Sequence, residues 1–310
     1  MVVGLAALAA VFVVARPAGI SGTEAAASLA RWPMYGGTLV AGGGVVFCRW
    51  VHDGGGSRAE RRAVVWWTQV AALIAGGATL LVLATQAWMI AGDVSALTDP
   101  RALARTADGR VGVSMVARLL GLVAIAHAVM HVGSRWARRQ ALAGAVLALA
   151  SFTWVGHSAT ARPRLVAVVS DLVHLGAAAV WVGGLVLLGL VLRHRRSQAS
   201  SPALVVARFS TVAAASVVTL FASGVALTAL EIGGLGDLFG HEYGRTVLSK
   251  TGLVGAVLAA AAYNRRLVPR LEELGPAGWA RLRSMLAVEV AGLVLVLLAT
   301  SLLVGLATPA

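Results

Sequence analysis

The sequence has little of what a soluble catalytic domain contains. It holds one cysteine, Cys48, and only 13 acidic residues among 310, and charged residues of either sign make up 13% of the chain. A single cysteine excludes an intrachain disulfide and a thiolate zinc cluster. The glycine-rich stretch Gly54–Gly56 lacks the strand–turn–helix setting and the following lysine of a phosphate-binding loop. Because no ATPase motif is present either, the residues predict no enzyme.

Apolar residues dominate what remains. They make up 58% of the chain, the mean hydropathy is +0.83, and the 36 glycines fit closely packed transmembrane helices. Crossing the hydrocarbon core takes roughly 20 residues per helix. We therefore predict an all-α, polytopic transmembrane bundle of about nine helices, with apolar runs near 1–16, 32–52, 64–91, 111–132, 137–157, 166–192, 207–232, 245–263 and 284–307.

The first run, 1–16, is short and has no basic residues before it. We interpret it as a marginal helix. The alternatives are a truncated helix, a start assigned too late, or an uncleaved signal-like anchor. Without it the bundle would have about eight helices.

The net charge of +13 would suggest a nucleic-acid partner in a soluble protein. Here the arginines lie in short loops between apolar runs, so they predict orientation in a lipid bilayer, and no nucleic-acid partner is expected. One alternate set of loops is the richer in arginine and includes Arg58–Arg62 and Arg135–Arg139. That side is predicted to be cytoplasmic, with the amino terminus inside and the carboxyl terminus outside.

The segment 156–185 concentrates polar residues in an apolar setting. His157 ends one run and His174 lies in the first half of the next, three residues after Asp171 and seven before Trp181. On a helix Asp171, His174 and Trp181 share one face, and buried polar groups need a partner, an ion or water. The two imidazoles predict a metal site on the outer side, since imidazole suits copper and zinc. Trp181 and the following glycines indicate a close helix crossing.

Other residues on the outer side extend this candidate site. Asp171 is either a ligand, a group that orients a histidine, or an ion-pair partner of Arg118 or Lys250. His241 belongs to an acidic loop that could collect cations, or is simply solvated. Methionines lie near the outer ends of three helices, at Met34, Met89 and Met115. Their thioethers would suit Cu(I), although methionine also fills gaps between helices. Arg118, Lys250 and Glu289 are interpreted first as structural ion pairs. Arg118 lies about two turns inside its helix and is expected to point into the bundle, toward a carboxylate or carbonyl.

A second candidate site lies near the inner side. His127 and His131 are four residues apart on one helical face, with Met130 beside them. Three interpretations stay open for this trio: an inner metal site, one half of a haem site with axial histidines, or a polar cluster facing lipid headgroups.

Five segments of the chain form an ordered set: Gly156-His157, Asp171–Leu185, Arg208–Leu227, Tyr243–Val254 and Tyr263–Arg270, followed by a last helix that carries Glu289. This set resembles the bacterial copper resistance protein D family. One departure is Ala222-Ser223-Gly224, where the family pattern has threonine before the glycine; we interpret it as a variation in helix packing. The likeness covers residues 151–310, taken as a copper resistance protein D-like membrane domain. Residues 1–150, the N-terminal membrane helices, resemble the family only loosely.

The resemblance implies a multi-pass protein of the bacterial plasma (inner) membrane that takes up copper from the periplasmic side. Copper, as Cu(I) or Cu(II), would be received from a periplasmic copper-binding donor protein at His157, His174 and Asp171, with His241 and Met115 nearby, and would pass toward His127, Met130 and His131. Two alternatives remain open. One is a membrane redox protein that binds haem b, and the other is an assembly factor that delivers copper to a terminal oxidase.

Overall fold

The computed structural model describes residues 22–52, 56–131, 134–155, 162–195, 202–231, 235–240, 242–271 and 273–304. Every regular element in these ranges is helical, which confirms the all-α prediction. The predicted helix at 1–16, together with His157 and His241, lies outside the described residues.

The helices follow one another along the chain with short connections. In order, their bounds are α1 Gly22–Val46, α2 Arg58–Ala91, α3 Pro100–Thr106, α4 Arg110–Ala128, α5 Arg135–Ala150, α6 Arg164–His194, α7 Ala203–Glu231, α8 Leu235–Gly240, α9 Glu242–Leu267 and α10 Gly275–Leu303. A π-helical turn, Phe47–Val51, extends α1, and 3₁₀ turns at Val129–His131, Ser151–Trp154 and Val268–Arg270 extend α4, α5 and α9.

Local sequence signals account for several helix ends. The Ser57 hydroxyl accepts a hydrogen bond from the backbone N–H of Glu60 and caps α2, and Gly92 ends the same helix in the left-handed conformation (φ 73°). Asp99 caps α3 immediately before Pro100, which takes the first helical position. In the loop between them, the N–H of Ser95 donates to the Asp93 carboxylate and holds its pKa below the ordinary value.

The centre of the bundle is α1, which packs against α2, α6 and α10 and also touches α4 and α5. Small residues allow these close approaches. A Cβ at Gly43 would collide with the carbonyl oxygen of Ala179 and come within 2.8 Å of Gly183 Cα, and a Cβ at Gly37 would lie 2.6 Å from the carbonyl oxygen of Ala71. The α1 backbone therefore lies directly against both α2 and α6, as small-residue helix contacts permit.

Six of the described helices are long and apolar enough to cross a membrane: Arg58–Ala91, Arg110–His131, Arg164–His194, Ala203–Leu230, Gly244–Arg270 and Gly275–Ser301. They coincide with six of the predicted runs. The runs at 32–52 and 137–157 also form helices, but α1 carries Glu24 and Arg31 and α5 has only 16 residues before its 3₁₀ turn. Because α1 packs against several other helices, fewer of its side chains face lipid, and fewer of them have to be apolar.

Candidate functional site

His174 is held at the contact between α6 and α7. Its ring nitrogen Nδ1 lies 3.0 Å from the hydroxyl oxygen of Ser223, and the ring packs against Gly224, where a Cβ would come within 3.5 Å of Cε1. The imidazole is thus positioned by the Ser223-Gly224 pair of the neighbouring helix. This gives Ser223 a role that the interpretation as a packing variation did not include.

The hydrogen bonds around Ser223 favour one proton arrangement on the His174 ring. The Ser223 hydroxyl oxygen lies 2.7 Å from the backbone carbonyl oxygen of Thr219 and 3.2 Å from that of Leu220, one turn back on α7. Donation of its single hydrogen to either carbonyl leaves the Ser223 oxygen to accept from Nδ1–H of His174. The backbone of Leu220 also forms a hydrogen bond with the His174 ring. The lone pair of the neutral ring then lies on Nε2, where a metal ion or a proton donor can bind.

Charged and polar groups from three other helices act on this region. Lys250 on α9 places positive charge close to His174. The negative charge of Asp171, one turn before His174 on α6, and the positive charges of Arg118 and Arg31 act on the Tyr35 hydroxyl of α1 in opposite directions. The aspartate and the histidine of the predicted outer site thus meet different neighbours, Asp171 toward α1 and His174 toward α7 and α9.

Arg118 points into the bundle, as predicted, with 4% of its surface exposed. Its guanidinium donates to the hydroxyls of Ser151 (3.1 Å) and Ser114 (3.3 Å) and to the Met34 sulfur (2.9 Å), and lies 3.9 Å from the centre of the Phe152 ring. Among the described residues no ion pair joins Arg118 to a carboxylate, so hydroxyls and a ring satisfy it instead. The Met34 thioether is occupied by this cation and lies in a small apolar core, which fits a packing role.

The outer site is only partly within the described residues. His174 and Asp171 are half-buried on α6, and Met115 is buried near the start of α4 beside Ser114. Within the described ranges, no three His, Cys, Asp or Glu side chains come together in a group that could hold a metal ion. His157 and His241 fall in the gaps, so their part in the site remains a prediction.

The inner trio lies on the surface of the protein. His127, Met130 and His131 are all exposed, with the two imidazole centres 5.1 Å apart and the Nδ1 of His131 3.3 Å from the carbonyl oxygen of His127. Two rings on successive turns of one helix face the same side. This surface position fits a polar cluster facing lipid headgroups.

Glu289 on α10 is buried with a neutral partner. Asn264 of α9 donates its amide N–H to the Glu289 carboxylate, and the Asn264 oxygen Oδ1 has no hydrogen-bond partner among the described residues. The carboxylate is 3% exposed. Its contact joins α9 to α10, where the sequence analysis expected an ion pair.

A bidentate ion pair between buried side chains joins Glu60 to Arg195, and it was not predicted from the sequence. Glu60 is fully buried, and its carboxylate accepts two hydrogen bonds from Arg195, at 2.9 Å from Nε and 3.0 Å from Nη2. The Nε2 of His52 lies 2.9 Å from Glu60 Oε1. This cluster joins the end of the first helix, the start of α2 and the end of α6. The Ser57-x-x-Glu60 capping pattern was visible, but its partner Arg195 lies 135 residues away.

Trp181 packs at the helix crossing predicted for it. It is 3% exposed and belongs to the largest apolar core, together with residues of α1, α7 and α10. Beside it, a Cβ on Gly183 would lie 2.9 Å from Gly43 Cα, and a Cβ on Gly184 would collide with the Phe209 ring. The prediction of a close crossing is confirmed.

These helices define a polytopic helical membrane protein with a buried polar region between its helices. The family model described as "Copper resistance protein D" matches residues 203–303, and the one described as "Copper resistance protein D-like, N-terminal domain" matches residues 21–162. The chain belongs to the copper resistance protein D family. It is therefore a membrane protein of a family described by copper resistance.

A curated relative supports the same family. The chain is 30% identical over 124 residues to "Copper transport protein CutJ" of Bacillus subtilis (strain 168). The matched segment is 39% of this chain and spans 23% of the relative's length. No solved structure matches the chain.

Proposed function

We propose that this protein transports copper across the bacterial plasma membrane by ligand exchange, taking the ion at an outer site around His174 and Asp171. The observation that carries the proposal is the hydrogen bond between His174 Nδ1 and Ser223 Oγ, 3.0 Å long, which leaves the lone pair on Nε2. A histidine that ligates a metal commonly donates its other N–H in this way, which fixes both the tautomer and the ring plane.

The remaining outer ligands come from residues that flank this histidine. Asp171 supplies a carboxylate on the same face of α6, and His157 precedes that helix by a short loop. His241 and Met115 complete the proposed set, with the thioether suited to Cu(I) and the imidazoles to either oxidation state.

A transport site must bind the ion weakly enough to release it. The positive charge of Lys250 near His174 opposes a bound cation and so weakens the site. We propose that it promotes release toward the inner side, where His127, Met130 and His131 lie. Because no ATPase motif is present, the energy would come from the ion gradient, proton exchange or the affinity of a partner.

The arrangement in the cell follows the distribution of arginines. We propose that the amino terminus is cytoplasmic, the carboxyl terminus is outside, and a periplasmic copper-binding protein delivers the ion to the outer site. The protein acts as a transporter and not as an enzyme. The relative from Bacillus subtilis is named as a copper transport protein, which supports this reading.

Copper affinity of the purified protein in detergent, measured against a competing chelator, tests the site. His174→Ala should weaken binding at least about tenfold, since even outer-shell changes at metal sites cost that much. Ser223→Ala should weaken it less, because the ring keeps its nitrogen but loses its orientation. Ser216→Ala is the matched control: this buried serine on the same helix donates its hydroxyl hydrogen to the carbonyl oxygen of Val212 within its own helix.

Three results would contradict the proposal. Unchanged copper affinity in a folded His174→Ala variant would make the histidine structural. A Soret absorption band in the purified protein would favour the haem alternative. Normal copper uptake by vesicles or cells that carry His174→Ala, combined with loss of oxidase activity, would favour the assembly-factor alternative.

A further inference from the structure

A basic pocket opens at the end of the bundle where α1 and α4 finish and α5 begins. Its volume is about 250 Å³. The lining residues come from these three helices and the turns that extend them: Val45, Cys48, Arg49, Ala128, Val129, Arg135, Ala137, Arg138, Arg139, Ala141 and Leu142. The lining thus combines four guanidinium groups with an apolar floor of alanine, valine and leucine.

None of the described residues that line this pocket is acidic. Arg49, Arg135 and Arg139 are exposed and Arg138 is half-buried, and the described part of the chain contains no ion pair for any of the four. Glu60, a described acidic residue at the same end, is already bound by Arg195. Four positive charges around one concave space favour an anion with several acceptor oxygens, which guanidinium groups bind in a bidentate manner.

Exposed tryptophan side chains around the pocket indicate that it lies at the depth of lipid headgroups. Four tryptophans at this end are exposed by 48% to 77%: Trp50, Trp66, Trp67 and Trp136. Exposed tryptophans at helix ends mark the membrane–water boundary. Two of them also hold pocket arginines, since Arg49 lies 5.5 Å from the centre of the Trp50 ring and Arg139 lies 5.6 Å from that of Trp136.

We propose that this pocket binds an anionic phospholipid, with the headgroup phosphate on Arg49, Arg135, Arg138 and Arg139 and the first acyl carbons on the apolar floor. A free phosphate ion carries the same kind of charge but has no apolar group that could contact Ala141 and Leu142. The position of the pocket between α1, α4 and α5 lets a bound lipid bridge the central helix to the α4–α5 pair. Basic pockets between helices at a membrane surface recognise acidic headgroups by this chemistry.

The test uses the full-length protein purified in detergent and titrated with short-chain phosphatidylglycerol, short-chain phosphatidylcholine or sodium phosphate. Binding is followed by native mass spectrometry and by the thermal unfolding midpoint. Phosphatidylglycerol should bind more tightly than either other probe. Arg138→Gln with Arg139→Gln should weaken phosphatidylglycerol binding on the order of 30-fold, because two arginine charges that attract the headgroup are lost.

The matched control is Arg265→Gln with Arg266→Gln, which removes the same charge from exposed positions near the end of α9. This control should leave phosphatidylglycerol affinity unchanged. Equal losses in the two double variants would show that net charge alone attracts the lipid and would overturn the proposal. Equal affinity for phosphate and lipid would overturn it in favour of a soluble anion. If the first double variant does not fold, Arg49→Gln with Arg135→Gln removes two exposed charges from the same pocket.

Discussion

Removing one partner of the buried contact between Glu60 and Arg195 should cost much more stability than replacing both partners by apolar residues. The contact joins the first turn of α2 to the end of α6, and the two side chains are 0% and 1% exposed. The perturbation is Glu60→Leu, which removes the carboxylate and leaves the buried Arg195 guanidinium without this ion pair. The His52 ring, 2.9 Å from the same carboxylate, loses its contact with Glu60 as well.

The magnitude follows from this geometry. Two parallel hydrogen bonds of 2.9 and 3.0 Å between opposite charges are the strong, bidentate kind. Breaking a buried pair by removing one partner costs about 3–5 kcal/mol of the free energy of unfolding, because the remaining charge stays desolvated. Replacing both partners by apolar residues of similar size is expected to cost much less, about 1 kcal/mol or under. The double variant Glu60→Leu, Arg195→Met should therefore be more stable than either single variant.

The assay is reversible unfolding of the purified protein in mixed micelles of increasing dodecyl sulfate content, followed by tryptophan fluorescence. Arg61→Met is the control, since Arg61 is exposed one residue after Glu60. We expect the control to lie within about 0.5 kcal/mol of the unmodified protein. If the double variant loses as much stability as the sum of the two single variants, the two side chains do not act as a pair and the reasoning fails.

Three further predictions follow from the same structure. Gly43→Ala should lower the free energy of unfolding by about 1–3 kcal/mol, because the added methyl group overpacks against α6. Gly36→Ala should be tolerated, since its Cβ would lie 3.7 Å from Leu297. Equal unfolding midpoints for the two variants would contradict the close crossing. His127→Ala with His131→Ala should reduce cellular copper accumulation only partly, and complete loss at normal membrane expression would show that the inner cluster is the main site. A reporter enzyme fused after Ala310 should be active outside the cytoplasm, and activity confined to the cytoplasm would reverse the proposed orientation.

Part of the functional region could be predicted because its residues are close in sequence. Asp171, His174 and Trp181 share a face of one helix by spacing alone, and the crossing at Gly183 follows from the small residues around it. The partners of these residues could not be predicted in the same way. Ser223 lies 49 residues from His174, and its hydroxyl was visible only as a departure from the family pattern.

Arg118 shows a second limit of sequence reasoning. A buried arginine in an apolar helix predicts a polar partner, and its burial was predicted correctly. The predicted kind of partner, a carboxylate or carbonyl, was wrong. Two serine hydroxyls, the Met34 sulfur and the Phe152 ring surround the guanidinium instead. Several weak acceptors can replace one strong acceptor, and a sequence does not show how many of them converge.

The sequence alone determined the helical class, the positions of the long apolar helices and the polar residues on α6, because hydropathy and the 3.6-residue period depend only on near neighbours. Tertiary structure decided that α1, the least lipid-like of the long helices, lies at the centre of the bundle. It also decided that Glu60 meets Arg195 and that Ser223 forms a hydrogen bond with His174. These contacts depend on which helices touch and in which register, and that choice is made by packing between segments far apart in the chain.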